Sequence, residues 1–220
     1  MPGVSELYGH VKRMGKALVL VICLAGPAWA APVALVALGD SLTHGYGLPP
    51  EDGFVPRLQA WLTAKGADVA VQNAGVSGDT TQGGLARVGW TLSGGAEAMI
   101  VALGGNDVLR GIDPAVSRAN LAGIIEAAQA EGVRVLLVGM TAPLNYGAEY
   151  KAAFDDMYGD LSREYGVALA PDFFAGLRDV PPEEMGSVMQ GDGLHPNADG
   201  VLRIVEALGP YVLDLIARTD

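Results

Sequence analysis

Val33-Ala34-Leu35-Val36-Ala37-Leu38 runs without a polar interruption and ends in Gly39-Asp40-Ser41-Leu42-Thr43. An unbroken apolar run closed by a glycine-containing polar turn is the pattern of a strand covered on both faces, as parallel sheets require. Four further short runs repeat it: Asp68–Asn73, Ala98–Leu103, Val133–Gly139 and Val167–Ala170. Longer helical patterns separate them, at Phe54–Ala64, Thr80–Leu92, Pro114–Ala130 and Ala148–Glu164, and Asn197–Ala217 closes the series. Asp113-Pro114 supplies a cap followed by proline at the first helical position. Gly132 and Gly166 stand just past helix ends, where a left-handed C-cap is needed. This alternation predicts βαβ units and a three-layer α/β/α domain with a five-stranded parallel sheet, one domain over residues 31–220.

The first thirty residues read differently. Lys12, Arg13 and Lys16 precede the apolar run Ala17–Ala25, and Ala28-Trp29-Ala30 offers small residues at the two positions a signal peptidase reads. This is the layout of a secretory signal peptide, with cleavage expected after Ala30 and a periplasmic or secreted product. The apolar run is shorter than the roughly 20 residues a membrane span needs, so no stable anchor is expected after cleavage. The intact chain carries a net charge of −11 and one cysteine. Cleavage removes that cysteine, Cys23, and deepens the charge to −13, which suits an oxidising compartment. So acidic a chain has no excess of cations with which to bind nucleic acid. A single cysteine excludes a disulfide scaffold and a thiolate zinc cluster, and three histidines leave little for a metal site. Nothing in the sequence calls for more than a monomer, for a metal or for a cofactor.

In doubly wound sheets ligands lie beyond the carboxyl ends of the strands. Three glycine-rich polar turns fall there: Gly39–Thr43, Asn73–Asp79 and Gly104–Asp107. A dinucleotide site fails, because Gly45-Tyr46-Gly47 is followed by Pro50 where the third glycine should pack. A nucleophilic hydrolase fits better. Ser41 directly follows the first strand, and a serine hydroxyl needs a base to accept its proton. After cleavage only His44 and His195 remain. Asp192 precedes His195 by three residues, close enough to hold the ring nitrogen that faces away from the serine. Taken alone, that spacing reads equally as a helix cap beside a surface histidine. Acyl transfer also needs donors for a developing oxyanion; the N–H groups of Ser41 and Gly78 and the Asn106 amide are candidates. Asn106-Asp107 by itself reads equally as helix capping.

Gly39-Asp40-Ser41-Leu42, Gly78, Gly104-Gly105-Asn106-Asp107 and Asp192-Gly193-Leu194-His195-Pro196 together resemble the successive blocks of the SGNH/GDSL hydrolase family. Asn73–Thr80 and Leu103–Gly111 are similar to its periplasmic acyl-CoA thioesterase, lysophospholipase and arylesterase subgroup. Leu144-Asn145-Tyr146-Gly147 resembles that subgroup's mobile loop over the acyl groove. The match runs from about Ala34 to Leu208. The resemblance implies a flavodoxin-like sheet, Ser41 as nucleophile, Asp192 and His195 completing a triad, and an oxyanion hole of Ser41, Gly78 and Asn106. The implied substrate is a small acyl ester or thioester. The G-x-S-x-G elbow of α/β-hydrolases is absent.

Leu109, Ile112, Leu144 and Tyr146 mark an apolar groove for the acyl chain. A carbohydrate O-acetylesterase on the same scaffold is the alternative enzyme, favoured by a tight pocket; a non-catalytic ligand-binding domain is the other. Activity is expected to rise through an imidazole titration near about pH 6.5–7. The remaining polar and aromatic residues have structural readings. His44 is expected on a solvated loop, and Asp40 as a tether of its own turn. Trp61 and Trp90 are expected in the core. Asp155, Asp156 and Asp160 are expected to form a solvated acidic helix face.

Overall fold

The computed structural model describes residues 31–218; the expected signal peptide lies outside the described residues. Five strands, β1 (Val33–Gly39), β2 (Val69–Gly75), β3 (Ala98–Ala102), β4 (Arg134–Val138) and β5 (Ala168–Ala170), form one sheet in the order β2-β1-β3-β4-β5. Every neighbouring pair is parallel. This is the flavodoxin-like order, whose switch point falls between β1 and β3. The chain leaves β1 toward one face of the sheet and β3 toward the other, so a crevice opens between the loops that follow them.

Helices α2 (Phe54–Ala64) and α7 (Ala198–Ile216) pack on one face of the sheet. Helices α3 (Thr81–Leu92), α5 (Pro114–Ala130) and α6 (Ala148–Tyr165) cover the other. Two short helices, α1 (Ser41–His44) and α4 (Gly105–Leu109), lie directly after β1 and β3. Neither is long enough to produce a readable period. All five residues of β3 are buried, and so are Leu35, Val36, Ala37 and Leu38 of β1.

β2 departs from the expected doubly covered strand, with only Val69 buried. It is an edge, so one side lacks a neighbouring strand. Gln59 of α2 substitutes in part: its Nε2 donates to the Val69 carbonyl at 2.9 Å and its Oε1 accepts from Val71 N–H at 2.8 Å. Such cover blunts an exposed strand edge.

Two sequence expectations, for Trp90 and Asp155, need correcting. Trp90 is 77% exposed rather than in the core. The buried positions of α3 are Thr81, Gly84, Val88, Thr91 and Leu92, and residue 90 falls outside that stripe. Trp61 is half-buried, packed against the core, with Lys65 Nζ 5.1 Å from the centre of its ring. Asp155 is not part of a solvated face: it accepts from Lys151 Nζ at 2.6 Å and from Ala142 N–H at 2.8 Å, tying α6 to the turn after β4. Asp156 and Asp160 are exposed.

Candidate active site

The turn after β1 is built by close approach. A Cβ on Gly39 would stand 2.0 Å from Thr43 Oγ1, and one on Gly75 would stand 2.3 Å from the His44 nitrogen. Bare backbone at the ends of β1 and β2 therefore lets α1 settle onto the sheet edge. Asp40 caps α1, its Oδ1 accepting from Leu42 N–H at 3.0 Å, and Ser41 is the first helical residue. At the far end of the chain, Asn197 caps α7 by accepting from Gly200 N–H at 3.0 Å. That fixes where the preceding loop, with Asp192 and His195, enters.

Ser41 Oγ and His195 Nε2 are 2.9 Å apart, and His195 Nδ1 and Asp192 Oδ2 are 2.7 Å apart. The second oxygen of Asp192 accepts from the Leu194 and His195 N–H groups at 2.9 and 3.0 Å. The hydrogen bond from the His195 ring, followed by these two amides, holds the Asp192 carboxyl down at about 2. It is thus an anion at neutral pH and can only accept. Nδ1 carries the proton in that bond, and Nε2 is left free to accept from the Ser41 hydroxyl.

Gly78 has φ +85°, a left-handed conformation that leaves its N–H unencumbered by a side chain. The N–H groups of Ser41 and Gly78 have no hydrogen-bond partner among the described residues. Asn106 Nδ2 donates to the Asp79 carbonyl at 2.9 Å and to Asp40 Oδ2 at 3.2 Å. Asp40 is buried, and burial raises its carboxyl to about 6 against the opposing pull of the Leu42 and Asn106 hydrogen bonds. Asp107 is buried too: it accepts from Thr81 Oγ1 at 2.5 Å, Thr81 N–H at 2.9 Å and Ser117 Oγ at 2.8 Å, fastening α4 to α3 and α5.

Ser41, Gly78, Asn106 and His195 line one cavity of about 640 Å³. Leu42, Val108, Leu109, Met140, Phe174 and Leu194 are among its apolar lining residues. Of the expected groove residues, Leu109 lines this cavity, whereas Ile112, Leu144 and Tyr146 do not. Tyr146 packs against Tyr150, ring centres 4.9 Å apart, and a Cβ on Gly111 would meet its ring at 3.1 Å. Leu144 is 68% exposed, and the Ile112 carbonyl accepts from Tyr150 Oη at 2.8 Å. Met140 and Phe174 went unread because they lie in irregular segments after β4 and β5, without period or motif. His44 is exposed, its Nδ1 3.5 Å from Ser77 Oγ. Among the described residues, no three His, Cys, Asp or Glu side chains gather to hold a metal ion, and no helix is long and apolar enough to cross a membrane.

A hydroxyl, an imidazole and a carboxylate in line, beside unpaired N–H donors at the switch point of a parallel sheet, define a hydrolase-type site. A model of the GDSL-like lipase/acylhydrolase family matches residues 37–202, and the chain belongs to that family, and so to the carboxylic ester hydrolases. It is similar to Esterase TesA of Pseudomonas aeruginosa, with 40% identity over 205 residues covering 91% of this chain and 100% of that protein. It is also similar to thioesterase 1/protease 1/lysophospholipase L1 of Escherichia coli K12, with 33% identity over 212 residues, 96% of this chain and 94% of that protein. A crystal structure of TesA matches with a TM-score of 0.75 at 39% identity, over 83% of this chain and 99% of that one. AlinE4, an SGNH-hydrolase family esterase, matches with a TM-score of 0.70 at 40% identity, over 84% of this chain and 97% of that one.

Proposed function

We propose that the protein is a periplasmic or secreted serine esterase that cleaves acyl esters and thioesters, including aryl esters, lysophospholipids and acyl-CoA, through an acyl-enzyme. The observation that carries this reading is the continuous hydrogen-bonded line Ser41–His195–Asp192 at a largely apolar cavity. His195 Nε2 takes the Ser41 proton as Oγ attacks the acyl carbonyl. The Ser41 and Gly78 N–H groups and Asn106 Nδ2 receive the oxyanion; the longer bond, to Asp40, is the one a substrate oxygen replaces. His195 then protonates the departing alcohol or thiol. Water, deprotonated by the same ring, attacks the acyl-Ser41 ester, and collapse returns the free hydroxyl and a carboxylic acid.

A cavity of about 640 Å³ is large for an acetyl group, which favours longer acyl chains over the O-acetylesterase alternative. Ser41→Ala should abolish turnover of a p-nitrophenyl ester, and a phosphonate ester should label the unmodified protein at Ser41 with one equivalent. Turnover retained by a pure, folded Ser41→Ala protein would refute the assignment. A rate series from p-nitrophenyl acetate to palmitate, run beside an acyl-CoA and a lysophospholipid, separates the substrate classes.

A further inference from the structure

Ser41 and His195 are 154 residues apart in the chain, on segments that share no helix and no strand. Something must hold the two segments in register, because a proton passes between atoms only 2.9 Å apart. Gln190 stands between them. Its Nε2 donates to the Tyr46 carbonyl at 2.8 Å and to the Pro196 carbonyl at 3.0 Å. Its own N–H donates to the His195 carbonyl at 2.8 Å, and its carbonyl accepts from Gly193 N–H at 3.0 Å. Tyr46 in turn donates its N–H to the Ser41 carbonyl at 3.1 Å. A short relay therefore runs from the Ser41 backbone through Tyr46 and the Gln190 side chain to the Pro196 carbonyl, with the Gln190 N–H on the His195 carbonyl beside it.

The fit is close. A Cβ at Gly47 would stand 2.3 Å from Gln190 Oε1, so the amide is seated against bare backbone with φ +75°. The Tyr46 ring lies over the His195 ring at 4.8 Å between centres, so the segment that Gln190 grips also covers the imidazole. Each loop has its own support apart from this link. Asn197 Nδ2 donates to the Ser187 carbonyl at 2.8 Å, Asn197 N–H to the Val188 carbonyl at 3.0 Å, and Met189 bridges Pro196. The His44 and Gly45 N–H groups close the turn of α1 on the Asp40 and Ser41 carbonyls. What the Gln190 amide adds is a hydrogen-bonded connection between the backbones of the two loops.

We propose that Gln190 is a positioning residue that sets the Ser41–His195 separation, a role that rests on the esterase reading above. One nitrogen with two forked hydrogens satisfies two carbonyls on different segments. Glutamate at neutral pH would oppose both with negative charge, and methionine of equal length offers no donor. A displacement of about 1 Å between reacting groups can cost on the order of 10²-fold in rate.

The test compares Gln190→Met with the unmodified enzyme on a p-nitrophenyl ester. We expect kcat to fall about 10–100-fold, with KM changed less than about threefold, because Gln190 does not itself line the acyl cavity. Phosphonate inactivation should slow by the same factor as kcat. The low-field proton resonance of His195 Nδ1, bonded to Asp192 within a single loop, should persist, since that bond does not depend on the link. A kcat within twofold of the unmodified enzyme overturns the proposal. So does joint loss of the resonance and of folding stability, which would make Gln190 a builder of its own loop. Should Gln190→Met fail to fold, Gln190→Asn keeps the amide one methylene short of its acceptors and is judged by the same criteria. Activity of Ser41→Ala decides the esterase reading separately, so the two failures are distinguishable.

Discussion

Asp40 Oδ2 accepts from Asn106 Nδ2 across 66 residues of chain, at 3.2 Å. A buried carboxyl one residue before the candidate nucleophile thus holds the side-chain donor of the candidate oxyanion hole. Its proton affinity is raised to about 6 from an ordinary 3.8, chiefly by burial. The sign for stability follows directly. The folded chain binds this proton more tightly than the unfolded chain, so the contribution is fully present below about pH 3.8. It is lost as pH rises through about 6, and amounts to about 3 kcal/mol across that window. Urea unfolding between pH 4 and 6.5 should show this decline in the unmodified protein and a flatter profile in Asp40→Asn. Parallel profiles for the two proteins would remove Asp40 as its source.

Asp192 shows the opposite behaviour. Its carboxyl is lowered to about 2 by the His195 ring and two backbone amides. A depressed acid adds stability that is present above about pH 3.8 and fades as pH falls toward 2. Asp192→Asn should therefore soften acid unfolding below pH 4 and leave the pH 4–6 window to Asp40. Its kinetic effect should be far larger. An asparagine NH₂ facing Nδ1 favours the tautomer with the proton on Nε2, which cannot accept from Ser41, and kcat should drop by about 10⁴. A loss under tenfold would show that Asp192 does not set the tautomer.

What the sequence revealed, and what it hid, divides along physical lines. The strands were legible because Val36–Leu38 and Met99–Val101 are buried on both faces and so cannot tolerate polar residues. The polar groups of the candidate site were legible because acyl transfer asks for particular residue types, and Ser41, Asn106 and His195 stand in ordered blocks that resemble those of the family. The cavity wall was not. Any apolar side chain of suitable size can line it, and Met140 and Phe174 reach it from irregular segments. Trp90 was misread for a related reason: a helical apolar stripe tolerates an outlier, and residue type alone does not report which side of α3 it occupies. The supporting hydrogen bonds were invisible, since the Gln190 side chain and two of the three Arg87 donors bond to backbone carbonyls, which leave no mark in sequence.

Arg87 is the second such support. From α3 its Nε donates to Asp79 Oδ2 at 2.6 Å, Nη1 to the Ala74 carbonyl at 2.8 Å and Nη2 to the Gly39 carbonyl at 2.9 Å. One guanidinium thereby joins the turn before Ser41 to the loop that carries Gly78. A lysine cannot place three donors in that planar fork. Arg87→Lys should lower kcat by about tenfold or more with KM nearly unchanged, through looser oxyanion donors. Arg87→Met also strands the Asp79 carboxylate and should cost about 2–3 kcal/mol in chemical denaturation. Wild-type kinetics in Arg87→Lys would reduce the residue to a simple ion pair.

Asn106 joins both halves of the site, so its removal should show two linked effects. Without the Nδ2 donor the oxyanion keeps only the Ser41 and Gly78 amides, and kcat should fall by about 10²–10³, with KM for a p-nitrophenyl ester little changed. Asn106→Ala also takes from Asp40 one of the hydrogen bonds that oppose its burial. The Asp40 carboxyl should then rise further, and the loss of stability with increasing pH should extend to higher pH than in the unmodified protein. The two readouts are independent, one a steady-state rate and the other a pH series of unfolding free energies. Because Asp107 and its Thr81 and Ser117 partners keep α4 in place, the backbone at 106 should stay where it is. A reduced kcat with an unshifted stability profile would mean that Asn106 does not bear on Asp40. An unchanged kcat would leave Asn106 as a tether of the Asp79 carbonyl and move the third oxyanion donor elsewhere.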